Sequence, residues 1–314
     1  GEPLGYRNRI RLHIDGATSR LGYRKRGSHQ NLAVDACPIA APVLEDALRA
    51  IQFAAAEWRL GERFSEIELF TNGAQDSMLV TLWASESAGA AEQELEFLWP
   101  RLRAAIPKMV GAAIFSADRG GRQGRLLAQR GEPILTYGVA DREYRVSLGS
   151  FFQVNRLLLD SLVELVCGQG SGKLAWDLYA GVGLFSAVLG SRFERVVAVE
   201  SAPISVLDLQ HNLRGEQYRV AAASTLNFLR GARRDAAPDL VVVDPPRAGL
   251  GKEVTARLAA IQPAHITYVS CDPATLSRDL KSLLDSGYHL RAMRMVDLFP
   301  QTFHLESVAM LSLK

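Results

Sequence analysis

The chain has 314 residues, of which 48% are apolar and 22% charged, with a formal net charge of +2. That length holds two domains with cores of their own, and the balance is that of a globular protein; a charge so near zero is by itself silent about nucleic acid. No apolar run reaches the ~20 residues of a membrane span, and three widely spaced cysteines (Cys37, Cys167, Cys271) exclude a disulfide framework and fit a reduced, cytoplasmic setting.

No secretory signal is visible, and the chain opens Gly1-Glu2-Pro3 without a methionine, so further sequence upstream is expected. Near the start, Arg7, Arg9 and Arg11 alternate with apolar residues such as Ile10 and Leu12. On a strand this puts three guanidinium groups on one face. With Arg24, Lys25 and Arg26 after a turn, the pattern reads as a phosphate-contacting surface; the alternative is a solvated strand face. An amphipathic helix is expected over 42–60, strands over 66–70 and 78–83, a helix over 89–105, and short strands as far as 147. This part is an α+β lobe.

From a helix opening near Asn155 the pattern changes to alternation. Strands are expected at 173–177, 195–200, 218–222, 240–244 and 265–270, with helices over 184–189, 203–213, from 252, and 273–284. Strand–helix alternation makes a parallel, doubly wound α/β sheet. The last two strands, 288–296 and 304–313, have no helix between them and therefore read as an antiparallel pair. The expected division is 1–148 and 149–314. No internal repeat or low-complexity tract is present.

Three clusters carry chemistry. Asp177-Leu-Tyr179-Ala-Gly181-Val-Gly183 follows a strand and opens a helix, where glycines let backbone approach a ligand closely. Glu200 ends the next strand, 19 residues after Gly181, where an acid hydrogen-bonds the ribose hydroxyls of an adenosine. Position 186 is serine rather than the third glycine of dinucleotide enzymes, which favours S-adenosylmethionine over NAD. Asp244-Pro-Pro-Arg247 ends an apolar strand and forms a rigid floor for a planar substrate. Cys271, 27 residues after Asp244, ends the following strand and sets a soft nucleophile beside that floor. A cysteine at a strand end is by itself most often a small core residue; its neighbours in sequence are what raise the catalytic reading.

Five segments together resemble the RNA (uracil-5-)-methyltransferases: Ser150-Phe-Phe-Gln-Val-Asn155, Asp177–Gly183, Asp244-Pro-Pro-Arg-Ala-Gly-Leu250, Tyr268-Val-Ser-Cys-Asp-Pro through Asp279, and Asp297-Leu-Phe-Pro-Gln-Thr-Phe-His-Leu-Glu306. The region from Gly5 to Ser28 resembles the family's RNA-binding lobe more loosely. The resemblance implies a C-terminal Rossmann-like class I methyltransferase domain, whose antiparallel last strand fits, and an N-terminal α+β RNA-binding lobe. By the same resemblance Cys271 is the nucleophile and Glu306 the base. Gln153, Tyr179, Gly181, Gly183, Glu200 and Asp244 hold S-adenosylmethionine, and Phe151 and Arg247 meet the target base. The sequence departs from the family at Asp272, where asparagine is common, and at Leu184, where some tRNA-modifying members have asparagine. Cys37-Pro-Ile39 matches the last ligand of the iron–sulfur cluster that many rRNA-modifying members carry, but no cysteine precedes it, so the chain as given lacks the ligands for one, and no metal is expected.

Carbon 5 of uracil is too weak a nucleophile to attack a methyl sulfonium. Adding a thiolate at C6 makes C4–C5 enolate-like, and a base must later remove the C5 proton. The target must be flipped out of a duplex or already single-stranded. The expected partner is RNA, 23S rRNA ahead of the tRNA T-loop, with the enzyme a monomer and no membrane involved. Competing readings are an exocyclic amino methyltransferase, disfavoured by Arg247 in the slot where an aromatic would stack and by Cys271; a cytosine-C5 methyltransferase, whose cysteines lie in other motifs; and a non-catalytic RNA-binding factor, disfavoured by the intact Cys271 and Glu306.

Overall fold

The computed structural model describes residues 1–25, 27–28, 30–85, 90–117, 124–168, 170–232 and 237–313. Arg26, part of the expected basic surface, lies outside the described residues. The chain forms two compact units. One comprises Glu2–Gly138 with Ser147–Gly149; the other comprises Ser150–Lys314 with Val139–Val146 and Gly1.

In the first unit, seven strands make one sheet: β1 (Arg9–Ile14), β2 (Leu21–Arg24), β3 (Asn31–Ala33), β4 (Phe64–Thr71), β5 (Met78–Ala84), β6 (Met109–Phe115) and β7 (Leu126–Gly131), in the order β3-β2-β1-β4-β5-β6-β7. Only β5 and β6 pair in parallel, because α3 (Ala91–Ala105) crosses between them. Helix α1 (Pro42–Ala54) starts with proline in its first turn and buries Leu44, Ala47, Leu48 and Ile51, the i, i+3, i+4, i+7 stripe of an amphipathic helix.

The helix expected over 42–60 stops at Ala54. Arg59 turns left-handed (φ 53°), and a four-residue helix, α2 (Leu60–Arg63), follows. Residues 54–58 (Ala-Ala-Ala-Glu-Trp) are good helix formers, so local propensity gave no stop signal. The turn instead buries Trp58 and Leu60 and brings Gly61 against the backbone of Asp15, where a Cβ would lie 2.1 Å from a carbonyl oxygen. Strand β8 (Ile134–Val139) follows β7.

The second unit begins with β9 (Arg142–Ser147) and α4 (Leu159–Cys167). Its sheet contains β10 (Gly172–Leu178), β11 (Phe193–Glu200), β12 (Tyr218–Ala222), β13 (Leu240–Val243), β14 (His265–Ser270), β15 (Tyr288–Val296) and β16 (Glu306–Leu313), in the order β12-β11-β10-β13-β14-β16-β15. The first five are parallel, and β16 runs antiparallel to both β14 and β15, as the missing helix between the last two strands required. Helices α5 (Leu184–Leu189), α6 (Pro203–Asn212), α7 (Thr225–Gly231), α8 (Gly251–Ile261) and α9 (Pro273–Asp285) connect the strands. Strand β13 is Leu-Val-Val-Val and wholly buried, the signature of a central parallel strand covered on both faces. Helix α7, capped by Ser224 accepting from the Asn227 amide, was not legible in the sequence, being only two turns long. Among the described residues no helix is long and apolar enough to cross a membrane.

Candidate active site

Open parallel sheets place ligands beyond the carboxyl ends of their strands. In the second unit those ends carry Asp177 near the end of β10 and Tyr179 just after it, Glu200 on β11, Asp244 after β13 and Cys271 after β14. Because β16 is antiparallel, it brings its first residue to the same edge. The β14–β16 ladder ends on the pair Ser270↔Ser307, so the next residue on either side is Cys271 and Glu306. Residues 35 apart in sequence therefore meet through register, on one face of the sheet.

The two glycines of the turn serve different ends. Gly181 (φ 56°) has nothing within 4 Å of where a Cβ would stand, leaving open space above the backbone. Gly183 (φ 94°) opens α5, and a Cβ there would lie 2.8 Å from Leu209. Tyr179 also takes a left-handed conformation (φ 66°), a strained choice for a bulky side chain that fits a functional loop. The Glu200 carboxylate accepts from the Gly181 amide at 2.9 Å and from the Ser201 and Ala202 amides at 2.6 and 2.7 Å. The sequence expectation for this acid is a ribose; in the structure it fastens the glycine turn to the end of β11.

Three carboxyls line the edge in succession. Asp177 is fully buried; Ser186 donates to one oxygen, and the other has no partner among the described residues. Burial pushes its carboxyl up to about 7, the Ser186 bond opposes this, and the Glu200 charge adds to it. Asp244 is raised to about 7 as well, by burial first and by Asp177 second, against a hydrogen bond from Gln153 Nε2 at 3.0 Å. Glu306, only 3% exposed, is raised to about 8 by burial and then by Asp244. The Cys271 thiol is also raised, by burial first and then by the charges of Glu306 and Asp244, while Arg247 pulls it down. Acids whose environments move them toward neutral pH are a mark of sites that move protons.

The segment from Ser150 to Asn155 is not helical; α4 starts only at Leu159. Its backbone is pinned instead by side chains. Ser150 donates to the buried Asp208 at 2.6 Å, Phe152 is buried, and Asn155 donates to the Leu298 carbonyl at 3.0 Å. Asn155 also accepts from the Leu157 amide, which makes a turn where a helix is expected and delays α4 to Leu159. Gln153 is thereby set against Asp244, and Phe151 is left 61% exposed.

Arg247 is exposed, with Nη2 3.0 Å from His304 Nε2. Asp272 caps α9, accepting from the Thr275 amide at 2.8 Å, a task asparagine would do equally well. Leu184 is buried in the first turn of α5. Cys37 and Cys167 are both buried, Cys37 with its sulfur 3.2 Å from the Tyr23 hydroxyl.

The expected basic strand belongs to the first unit. Arg9 lies 3.9 Å over the Phe70 ring and 3.7 Å from Glu68; Arg11 lies 3.7 Å over Trp83 and pairs with Glu66. Arg7 is half-buried, its backbone bonded to Ile39 and Ala41. The alternating cations are legible in the sequence; their acidic partners are not. The signal was the acids at Glu66 and Glu68 on an adjacent strand, whose register only folding supplies.

Residues 227–314 match the family model described as tRNA (Uracil-5-)-methyltransferase. An RNA methyltransferase of Streptomyces coelicolor is 33% identical over 320 residues, covering 99% of this chain, and this chain spans 64% of that protein's length. The Edwardsiella ictaluri protein named 23S rRNA (uracil(1939)-C(5))-methyltransferase RlmD is 32% identical over 328 residues, 99% of this chain and 70% of that one. The Pyrococcus abyssi tRNA (uracil-54, C5)-methyltransferase, solved with S-adenosyl-L-homocysteine, shares the fold with a TM-score of 0.76 at 24% identity, over 99% of this chain and 76% of that one. The motifs, the sheet order and these likenesses agree, and the chain belongs to the RNA (uracil-5-)-methyltransferase family.

Proposed function

We propose that the chain transfers a methyl group from S-adenosylmethionine to C5 of a uridine in RNA, with Cys271 as nucleophile and Glu306 as base. The observation that carries the reading is the register at the end of β14 and β16, which sets Cys271 against a buried, proton-holding Glu306. The residues suit the cofactor: open space above Gly181, the Glu200 carboxylate at the end of β11, and Gln153, Tyr179 and Asp244 around the same edge. Held there, S-adenosylmethionine supplies an electrophilic methyl group.

The chain's own residues do the rest. The Cys271 thiolate adds to C6 of the uracil; an S–C bond forms, and the C5–C6 π electrons move toward C5 and O4. Arg247 keeps positive charge near the thiol and favours its ionised form. Once C5 carries the methyl, the Glu306 carboxylate takes the C5 proton, C5=C6 re-forms and the sulfur leaves. Phe151, exposed beside Gln153, offers a face for the flipped uracil. In this reading residues 149–314 perform the chemistry and 1–148 hold the RNA, through Arg7, Arg9 and Arg11 among others, and the enzyme acts in the cytoplasm as a monomer.

The relative named for 23S rRNA favours that RNA, and the tRNA-directed fold relative and family model favour the T-loop as the alternative. Nucleoside analysis of rRNA and tRNA after incubation with labelled cofactor tests the reading. 5-Methyluridine is the expected product; an N-methyl base, 5-methylcytidine or no label overturns it.

A further inference from the structure

We propose that Phe303, His304, Arg247 and Arg294 form a second nucleotide subsite, which holds the unpaired nucleotide next to the target uridine. This rests on the uridine-methylating reading above. All four residues lie in the second unit, at or beside the strand-end edge that carries Cys271 and Glu306. Phe303 is 74% exposed, on the loop that leads into Glu306. Its ring lies 4.1 Å from that of His304, and Phe299 meets the other side of the imidazole edge-on at 5.7 Å. Arg247 reaches His304 Nε2 at 3.0 Å. The result is a continuous surface with an aromatic face at one end and a cation at the other.

Arg294 approaches from β15. The β15–β16 register pairs Val296 with Glu306 and Arg294 with Val308, so Arg294 points to the same face as Glu306, one diagonal step away. It is exposed, donates only to the Met293 carbonyl at 3.2 Å, and has no carboxylate partner among the described residues. Acids at this edge are Glu306 and Asp244 of the site itself, Asp272, occupied as the cap of α9, and the exposed Asp297. Cations and an exposed aromatic on the same edge suit one nucleotide, with a ring for its base and positive charge for its phosphates. Every base has a π face, so the subsite orders the strand without reading its sequence, and it keeps the flipped uridine from sliding back into the stack.

The test uses the whole chain and two fluorescent single-stranded RNAs of mixed sequence with a central uridine, one intact and one abasic beside that uridine. Phe303→Ala is expected to weaken binding of the intact RNA roughly five- to a hundredfold, and to leave the abasic RNA unchanged. Arg294→Gln is expected to lower the log–log salt slope by about 0.7 on both RNAs. Unchanged affinity for Phe303→Ala together with an unchanged slope for Arg294→Gln overturns the subsite. Methylation by the unmutated chain, measured in parallel, separates the two proposals: 5-methyluridine with indifferent variants removes only the subsite, and weakened variants without 5-methyluridine remove only the reaction.

Discussion

Charge is handled in opposite ways in the two units. On β1 the arginines are neutralised where they stand, Arg9 by Glu68 and the Phe70 face, Arg11 by Glu66 and the Trp83 face. At the carboxyl edge of the second sheet, Asp177 and Glu306 are buried and Asp244 half-buried, and no cation forms an ion pair with any of them among the described residues. A paired charge near the surface contributes little to stability. A buried acid beside other acids holds its proton near neutral pH, at a cost to the fold that only chemistry repays. A row of charges in a sequence therefore says less about function than the partners the fold gives it.

The comparison is sharpest at the reacting pair. Cys271→Ala is expected to abolish 5-methyluridine formation and the gel-stable complex with 5-fluorouridine RNA, since fluorine at C5 cannot be removed as a proton and traps the unmutated enzyme. Glu306→Gln is expected to add and methylate, then stall as a covalent complex. The pH dependence has a definite sign. Glu306 at about 8 is mostly protonated at pH 7, so turnover should climb as pH rises through 8. The Glu306 charge is one cause of the raised Cys271 thiol, so adduct formation by Glu306→Gln should begin at lower pH than in the unmutated chain. Turnover by Cys271→Ala, or an adduct profile unmoved by Glu306→Gln, breaks this half of the comparison.

A smaller effect is expected at Glu200. Its carboxylate holds three backbone amides of the cofactor turn, so Glu200→Ala should weaken S-adenosylmethionine binding by about 1.5–3 kcal/mol, the scale of hydrogen bonds to a charged group. Calorimetry showing unchanged affinity removes Glu200 from the site.

The smallest effect is on β1. Replacing Arg7, Arg9 and Arg11 with glutamine should lower the salt slope of RNA binding by about 0.7 for each phosphate that is no longer neutralised. Cation–π interactions at exposed sites contribute about 0.5–1 kcal/mol each, so Tm should also fall. A lower Tm with an unchanged slope would assign the three arginines to holding the sheet.

Local chemistry was enough to write the glycine turn, the strand-ending acids at Glu200 and Asp244, the cysteine after β14 and the helix-free return of the last two strands, because each depends on a few neighbouring residues. Turn chemistry and periodicity are short-range, and they carried the α/β alternation through the second unit. Tertiary structure decided the rest. It ended α1 at Ala54 against local propensity, pinned Ser150–Asn155 by side-chain bonds to Asp208 and Leu298, and gave the β1 arginines their acids. It also set Glu306 against Cys271, since cross-strand register and burial arise only between segments far apart in the chain, and burial is what moves a carboxyl to about 8.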